Sequence, residues 1–280
     1  MQSSDVHIYF DDDGVLHKWN NFTLDDPDPY LDLTPQERDT FIKDQIYQHL
    51  LAPDYFRNLP VQQCMADLAT ALHNQGYHVQ ALSCSINTDT DRQKYDSIPK
   101  CLPWIEKRDI ILIPDGKGCD KASYLPMENN GIHILIDDHT PNCNAFERHG
   151  YIAVKCKNDI NSKGGSWRGS FVYYDDLDAS LISIQSIITT HMLLCSDFLT
   201  HDVLSAEITK FLHRFQPSVP VSHEEIQNQL NCGNISTLIS SIKDIKATDQ
   251  LSISDQRVAE ALLRHIQQRT VCKDRQHPIR

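Results

Sequence analysis

Residues 7–19, HIYFDDDGVLHKW, place three aspartates and a glycine between two short apolar runs. The run that precedes them, Val6 to Phe10, has the length and composition of a buried strand. Side chains alternate along an extended backbone, so Asp11 and Asp13 are expected on one side and Asp12 on the other, as a spacer. The pattern predicts that two of the three aspartates act together at a strand end.

Further apolar runs along the chain predict the rest of a sheet. Between them lie helical segments, such as 35–51 with a capping box at Thr34 and Glu37, and 61–75 with apolar residues at spacings of 3 and 4. Runs that are apolar on both faces and alternate with helices predict an α/β fold with a mostly parallel central sheet. The predicted strands after the first are 77–83, 109–114, 131–138 and 151–156.

Aspartate, serine and lysine residues follow these apolar runs. In parallel sheets with helices on both faces, ligands bind at the carboxyl ends of the strands. The residues predicted to meet there are Asp11, Asp13, Ser83, Lys117 or Lys121, Asp137 and Asp138.

Composition narrows the class of protein. The 280 residues carry a formal net charge of -12, which argues against a broad nucleic-acid interface but leaves room for a small phosphorylated ligand. The nine cysteines are scattered without a CxxC pair, as is typical of reduced cytosolic proteins. No secretory signal and no long apolar run are evident from the sequence, so a cytoplasmic protein without a membrane partner is expected.

The sequence pattern changes near residue 177 from alternating strands and helices to helices alone. Residues 177–280 have helical patterns throughout, interrupted at 216–222, and Ser222 and Ser254 are the predicted helix caps. This predicts a first domain over 1–176 and a helical C-terminal region. A role for that region in binding a protein partner or in self-association is one hypothesis.

The order strand–DxDGV, strand–Ser, Lys, strand–DD resembles the haloacid dehalogenase (HAD) superfamily. The resemblance implies a Rossmann-like hydrolase fold with a small helical cap inserted after the first strand, here about 18–75. Within the superfamily, the stretches 54–60 and 134–169 are similar to the 5′(3′)-deoxyribonucleotidase family and its phage and bacterial relatives. The matching positions are Asn142, Phe146, Gly150, Lys155, Asn161, Trp167 and Gly169.

The resemblance implies phosphate-ester chemistry, which needs a nucleophile, an acid and cations. Asp11 is the expected nucleophile, and Asp13 the acid that protonates the leaving group and later activates water. Ser83, with Ser85 as the alternative, would donate a hydrogen bond to the phosphoryl group. Lys121, with Lys117 as the alternative, would pair with phosphate and Asp11.

Two adjacent carboxylates repel each other unless a cation is present, and Mg²⁺ suits a site made of oxygen ligands. The predicted metal residues are Asp11, Asp13 and Asp138, with Asp137 as support for Asp138, although the spacing alone leaves the order of the last two open.

A nucleoside or deoxynucleoside monophosphate is the expected substrate. Alternatives are a phosphatase acting on nucleic-acid ends or sugar phosphates, or a catalytically idle HAD-fold binding or regulatory module. Cap residues set specificity in this superfamily, and the candidates for stacking on a base are Trp19, Phe22, Tyr30, Tyr55 and Phe56, with Arg57 near the phosphate.

Overall fold

The computed structural model describes residues 5–19, 34, 36–37, 53–114, 118–125, 131–158, 161, 166–195, 199–217, 221–232, 235–248 and 251–274. The chain divides into two compact units, Met1–Gln185 and Ser186–Arg280. The division falls inside a helix, nine residues after the predicted boundary at 176.

The first unit is built on a six-stranded, all-parallel sheet in the part of the chain that the structure describes. Its strand order is β3-β2-β1-β4-β5-β6. This confirms the predicted Rossmann-like α/β fold and adds β6, which the sequence patterns did not predict. The strands are β1 Val6–Phe10, β2 His78–Cys84, β3 Ile110–Ile113, β4 Ile132–Asp137, β5 Ile152–Lys157 and β6 Ser170–Tyr173.

The strand order reverses between β1 and β4. The chain runs outward from β1 through β2 to β3 and then returns to the other side of β1 to build β4 to β6. Every residue of β1 and β4 is buried, which explains their mostly apolar sequences. The register pairs Phe10 with Ile136 and so brings the residues after both strands to one edge. A crevice at such a reversal is the usual ligand site of an open parallel sheet.

Helices connect the strands of the first unit. The first of them, α1 (Gln63–Asn74), crosses from β1 to β2 and buries Met65, Leu68 and Leu72, and Gly76 follows it at φ +85°. The predicted cap range of 18–75 therefore includes a crossover helix of the sheet domain. In the part of the chain that the structure describes, two further α-helices lie between strands, α2 Thr88–Cys101 and α3 Thr140–Arg148.

Most of the predicted cap lies outside the described residues, including the body of the predicted helix 35–51. The capping box at its start is described. Thr34 N donates to Glu37 Oε2 over 2.7 Å, and Glu37 N donates to Thr34 Oγ1 over 3.3 Å. This reciprocal pair is the predicted start of a helix.

The helix α4 (Leu177–Leu194) contains the division between the two units. Among the described residues, it is the one helix long and apolar enough to cross a membrane, by length and composition only. Its hydroxyl groups bond within the protein: Ser183 Oγ donates to Phe171 O, and Thr190 Oγ1 to Glu207 Oε2.

The second unit is helical, as predicted. Ser222 bonds reciprocally with Glu225 at the start of α6, whereas at α8 Ser252 caps Asp255 N and the predicted cap Ser254 lies inside the helix. The four helices after α4 are α5 His201–Phe215, α6 His223–Cys232, α7 Ser236–Lys246 and α8 Ile253–Asp274. Their core includes Leu204, Ile208, Ile226, Leu238, Ile242, Leu262 and Ile266.

Candidate active site

The three consecutive aspartates lie in a turn rather than an extended segment. β1 ends at Phe10, and the chain then folds back so that Leu16 N donates to Asp11 O and His17 N to Asp12 O. The side-chain alternation expected from the sequence therefore does not apply beyond the strand. The expectation that Asp12 is a spacer is wrong, because its carboxylate is buried and 2.5 Å from His17 Nδ1.

Lys121 joins the ends of β1 and β4. Its Nζ lies 2.8 Å from Asp11 Oδ1 and 2.7 Å from Asp137 Oδ2, and the side chain is fully buried. The competing candidate, Lys117, lies outside the described residues. Lys121 therefore occupies the position expected of the cation that pairs with Asp11.

Asp137 is surrounded by donors. Besides Lys121, His139 N donates to its Oδ1 over 2.8 Å, and Asn142 Nδ2 donates to its Oδ2 over 3.0 Å. Burial acts to raise the pKa of Asp137, but Lys121 and the other donors hold it below the ordinary value. An ionised carboxylate with this many partners is a fixed negative charge at the edge of the site.

Asp138 has a different environment. Trp19 Nε1 and Asn158 Nδ2 both donate to its Oδ2, over 3.3 and 2.9 Å. Trp19, predicted to stack on a base, thus contacts a carboxylate of the site. Gly14 lies at φ +80°, and a Cβ on it would come within 2.3 Å of Asp138 Oδ2, so a side chain there would displace this carboxylate.

Asp11, Asp137 and Asp138 form a cluster in which one oxygen of each lies within 4.8 Å of the others. Burial raises the pKa of Asp11 well above its ordinary value, Lys121 opposes this, and Asp137 adds to it. A cation in the cluster would relieve the repulsion, and an all-carboxylate set of hard oxygen donors fits Mg²⁺. Asp13, which the sequence placed in the metal set, lies outside this cluster.

Asp13 pairs instead with a lysine that the sequence reasoning missed. Lys94 Nζ lies 2.5 Å from Asp13 Oδ2 and 2.9 Å from Ser83 Oγ, and its side chain is fully buried. Burial raises the pKa of Asp13 to about 6, against the effect of Lys94. Ser83 is therefore in the site, whereas the alternative, Ser85, donates its hydroxyl proton to Asn87 O.

One of the missed residues had a signal in the sequence. Asn158 directly follows β5, as Asp11 follows β1, so the strand-end rule applies to it as well. Lys94 had no such signal, because it lies on α2, whose buried face is mostly polar and lacks apolar periodicity. The buried stripe of this helix contains Thr90, Gln93, Lys94, Ser97 and Ile98.

The described cap residues pack together. Phe56 and Tyr55 are buried with their rings at right angles, and the Phe56 ring lies 4.7 Å from Lys94 Nζ. Arg57, predicted to lie near phosphate, is paired with Asp54 and Asp96. Its guanidinium is thus already engaged by carboxylates. The other two aromatic candidates, Phe22 and Tyr30, lie outside the described residues.

Residues that carry the resemblance have identifiable physical roles. Asn161 Nδ2 donates to Asp138 O and to Cys156 O, which ties the loop after β5 to the site. Trp167 packs in the core of the sheet domain, and a Cβ on Gly169 would lie 2.2 Å from its ring. Asn161 thus contacts the backbone next to the site, whereas Trp167 and Gly169 belong to the core of the sheet domain.

Comparisons with known proteins do not assign a function to the chain. No protein-family model and no curated protein matches the chain. One similar solved structure is that of a hydrolase from Pseudomonas syringae, with 15% sequence identity and a TM-score of 0.37. The match covers 67% of this chain and 99% of that one. The likeness is too distant to transfer a function.

Proposed function

We propose that the chain is a Mg²⁺-dependent phosphomonoester hydrolase that acts through an aspartyl-phosphate on Asp11. The observation that carries this proposal is the environment of the Asp11 carboxylate. Oδ1 accepts from Asp12 N over 2.8 Å and is paired with Lys121, while no donor among the described residues contacts Oδ2. An oriented carboxylate with one open oxygen, beside a second carboxyl group and a hydroxyl, suits nucleophilic attack on phosphorus.

The first step transfers the phosphoryl group to the protein. Asp11 Oδ2 forms a bond to phosphorus as the bond from phosphorus to the ester oxygen breaks. Asp13 gives its proton to that leaving oxygen, so the alcohol departs neutral. The Ser83 hydroxyl donates a hydrogen bond to a phosphoryl oxygen, and the Lys121 ammonium offsets the negative charge on the phosphoryl group.

The second step releases phosphate. Asp13, now ionised, takes a proton from a water molecule as the water oxygen bonds to phosphorus. The bond between phosphorus and Asp11 Oδ2 breaks, and the electron pair returns to the carboxylate. Inorganic phosphate leaves, and both aspartates are restored to their starting protonation states.

Asp11, Asp137 and Asp138 would hold Mg²⁺. When bound, the ion supplies positive charge that lets the carboxylates and a dianionic phosphate share one site. Asp137 and Lys121 fix the shape of that cluster through their 2.7 Å pair. Trp19 orients Asp138 by its hydrogen bond to Oδ2.

The proposed substrate is a nucleoside or deoxynucleoside monophosphate. Support comes from the similarity of 54–60 and 134–169 to the deoxyribonucleotidase family. Nucleic-acid ends and sugar phosphates share the same phosphoester chemistry. A binding module without turnover would use the same fold with no need for an open oxygen on Asp11.

The test is phosphate release from 5′- and 3′-nucleoside monophosphates, a 5′-phosphorylated oligonucleotide, sugar phosphates and para-nitrophenyl phosphate, each with Mg²⁺ and with EDTA. We expect Mg²⁺-dependent release that is fastest with mononucleotides, and its loss with folding retained in Asp11→Asn. Preference for another member of the panel would reassign the substrate. Absence of release from every member by the folded protein, or full activity of Asp11→Asn, would overturn the proposed mechanism.

A further inference from the structure

The Lys94 ammonium is surrounded by three oxygens of the site. Its Nζ donates hydrogen bonds to Asp13 Oδ2 over 2.5 Å and to Ser83 Oγ over 2.9 Å, and it forms an ion pair with Asp12 Oδ2 at 3.5 Å. The side chain is fully buried beneath the ring of Phe56. These three groups engage the ammonium within the protein.

These contacts fix two groups that the proposed reaction uses. With Lys94 on Oδ2 of Asp13, the remaining oxygen, Oδ1, is buried and has no hydrogen-bond partner among the described residues. Oδ1 is then the oxygen available to exchange a proton with a leaving group. Ser83 Oγ accepts from Lys94, so its own proton is directed elsewhere and can be donated.

The lysine is itself held in place. Asp12 bonds to His17 Nδ1 through Oδ1 and faces Lys94 through Oδ2. On the same helix, Gln93 Oε1 accepts from Phe56 N over 2.9 Å, so the ring over the ammonium is tied to α2. The middle aspartate thus acts as the counter-charge that keeps a cation between the acid and the hydroxyl.

We propose that Lys94, anchored by Asp12 and His17, is a positioning residue that aims Asp13 Oδ1 at the leaving group and the Ser83 proton at the phosphoryl group. This inference rests on the proposed function. It assigns Lys94 to the step in which the leaving oxygen is protonated, and it separates Lys94 from Lys121. Lys121 contacts the nucleophile and remains the cation for phosphate.

The leaving group supplies a test that a general structural role would not satisfy. A nucleoside alkoxide leaves slowly unless it is protonated, so it depends on a well-placed acid. The nitrophenolate of para-nitrophenyl phosphate is stable as an anion and needs little protonation. General acid catalysis is worth roughly 10²- to 10⁴-fold. Loss of Lys94 should therefore slow the nucleotide far more than the nitrophenyl ester.

The experiment compares kcat/KM for a nucleoside monophosphate and para-nitrophenyl phosphate in wild type, Lys94→Met and Lys94→Arg. This ratio reports the steps up to departure of the leaving group, whereas kcat also contains hydrolysis of the aspartyl-phosphate, which is common to both substrates. Lys94→Met keeps an unbranched side chain, one atom shorter, and removes the ammonium. Lys94→Arg keeps the charge and is expected to fold even if the buried neutral variant does not, but its planar fork cannot match all three acceptors. Lys107→Met is the matched control, because Lys107 is exposed on the ring of Tyr95.

We expect Lys94→Met to lower kcat/KM for the nucleotide by about 10²-fold or more and kcat/KM for the nitrophenyl ester by less than about tenfold. Lys94→Arg should show the same selectivity to a smaller extent, and Lys107→Met should match wild type. Equal loss of kcat/KM on both substrates, or no loss on either, would overturn the inference, and Lys94→Arg decides alone if Lys94→Met does not fold. A wild-type protein that hydrolyses neither substrate would instead overturn the proposed function.

Discussion

Asp138 shows how single residues would orient the cluster for the proposed cation. Trp19 and Asn158 both donate to Oδ2 of this carboxylate, and Asn158 also donates to Gly14 O over 2.8 Å. One oxygen of Asp138 is therefore held by the protein. Donors of this kind orient a ligand and are worth about 10- to 100-fold in metal affinity.

Replacing Trp19 with phenylalanine should weaken Mg²⁺ binding. Trp19→Phe keeps an aromatic ring but removes the N–H that orients Asp138. We expect the Mg²⁺ dissociation constant, measured by calorimetry without substrate, to rise by about tenfold. The Mg²⁺ concentration for half-maximal phosphate release should rise in parallel.

Trp104→Phe provides the comparison for this change. Its indole N–H donates to Thr70 Oγ1 over 3.0 Å, and the substitution removes the same chemical group away from the carboxylates. The Mg²⁺ affinity of Trp104→Phe should equal that of wild type. An unchanged affinity in Trp19→Phe would show that the bond to Asp138 does not contribute to metal binding.

The residues that sequence reasoning placed well are those fixed by strand ends. Asp11, Ser83 and Asp137 follow from buried strands and from the rule that ligands bind at their carboxyl edge. Asp12 and Lys94 could not be placed in the same way. Their partners are 5 or more residues away, and their positions depend on a turn and on how α2 docks on the sheet.

At the scale of elements, three neighbouring strands carry a row of histidines. His7 on β1 is the register partner of His78 on β2 and of His133 on β4. The ring centroids lie 5.0 and 4.9 Å from that of His7. Burial lowers the pKa of His7 to about 4, and the neighbouring His133 and His78 add to the effect.

This row predicts a loss of stability in mild acid. Unfolded His7 would take up a proton near pH 6.5, whereas the folded protein resists protonation until about pH 4. Below pH 6.5 the unfolded state therefore binds more protons, and stability falls as the pH falls towards 4, by up to about 3 kcal/mol. The measurement is urea unfolding at pH 7.0, 5.5 and 4.5.

His7→Phe separates this residue from the other titrating groups. The variant keeps a flat ring beside its neighbours but cannot be protonated. It should lose less free energy of unfolding between pH 7.0 and 4.5 than wild type does. Parallel pH dependence in the two proteins would mean that His7 does not cause the acid sensitivity.

The burial of each strand and helix explains which of these elements the sequence could predict. β1 and β4 are buried on both faces, so their sequences are mostly apolar, interrupted by His7 and His133. β6 is a four-residue edge strand with only Val172 fully buried, and it gave no such apolar run. In α2, polar side chains fill the buried face because the site lies beneath it, so apolar periodicity could not reveal the helix.

In the whole molecule, the candidate active site belongs to one compact unit, and much of the chain belongs to the other. All the site residues described above lie in the first unit, between Asp11 and Asn161. The second unit has a core of its own, in which Ile242 on α7 is fully buried. The structure therefore gives no catalytic residue to the second unit among its described residues.

A mutation that creates a cavity in the core of each unit tests whether the second unit affects the candidate active site. Ile242→Ala in the second unit should lower the free energy of unfolding by about 2–5 kcal/mol, and Leu68→Ala on α1 in the first unit should cost a similar amount. At a temperature where both variants are folded, Ile242→Ala should keep the wild-type kcat and KM. Circular dichroism during urea unfolding gives the stability, and phosphate release gives the kinetics.

Leu68→Ala is the reference variant for that comparison. Its cavity lies in α1, the helix that precedes β2, and β2 carries Ser83. We expect its kcat to fall by more than that of Ile242→Ala at equal loss of stability. If Ile242→Ala lowered kcat while remaining folded, the second unit would influence the candidate active site. Unchanged kinetics would instead show that the proposed turnover does not depend on the packing of the helical unit.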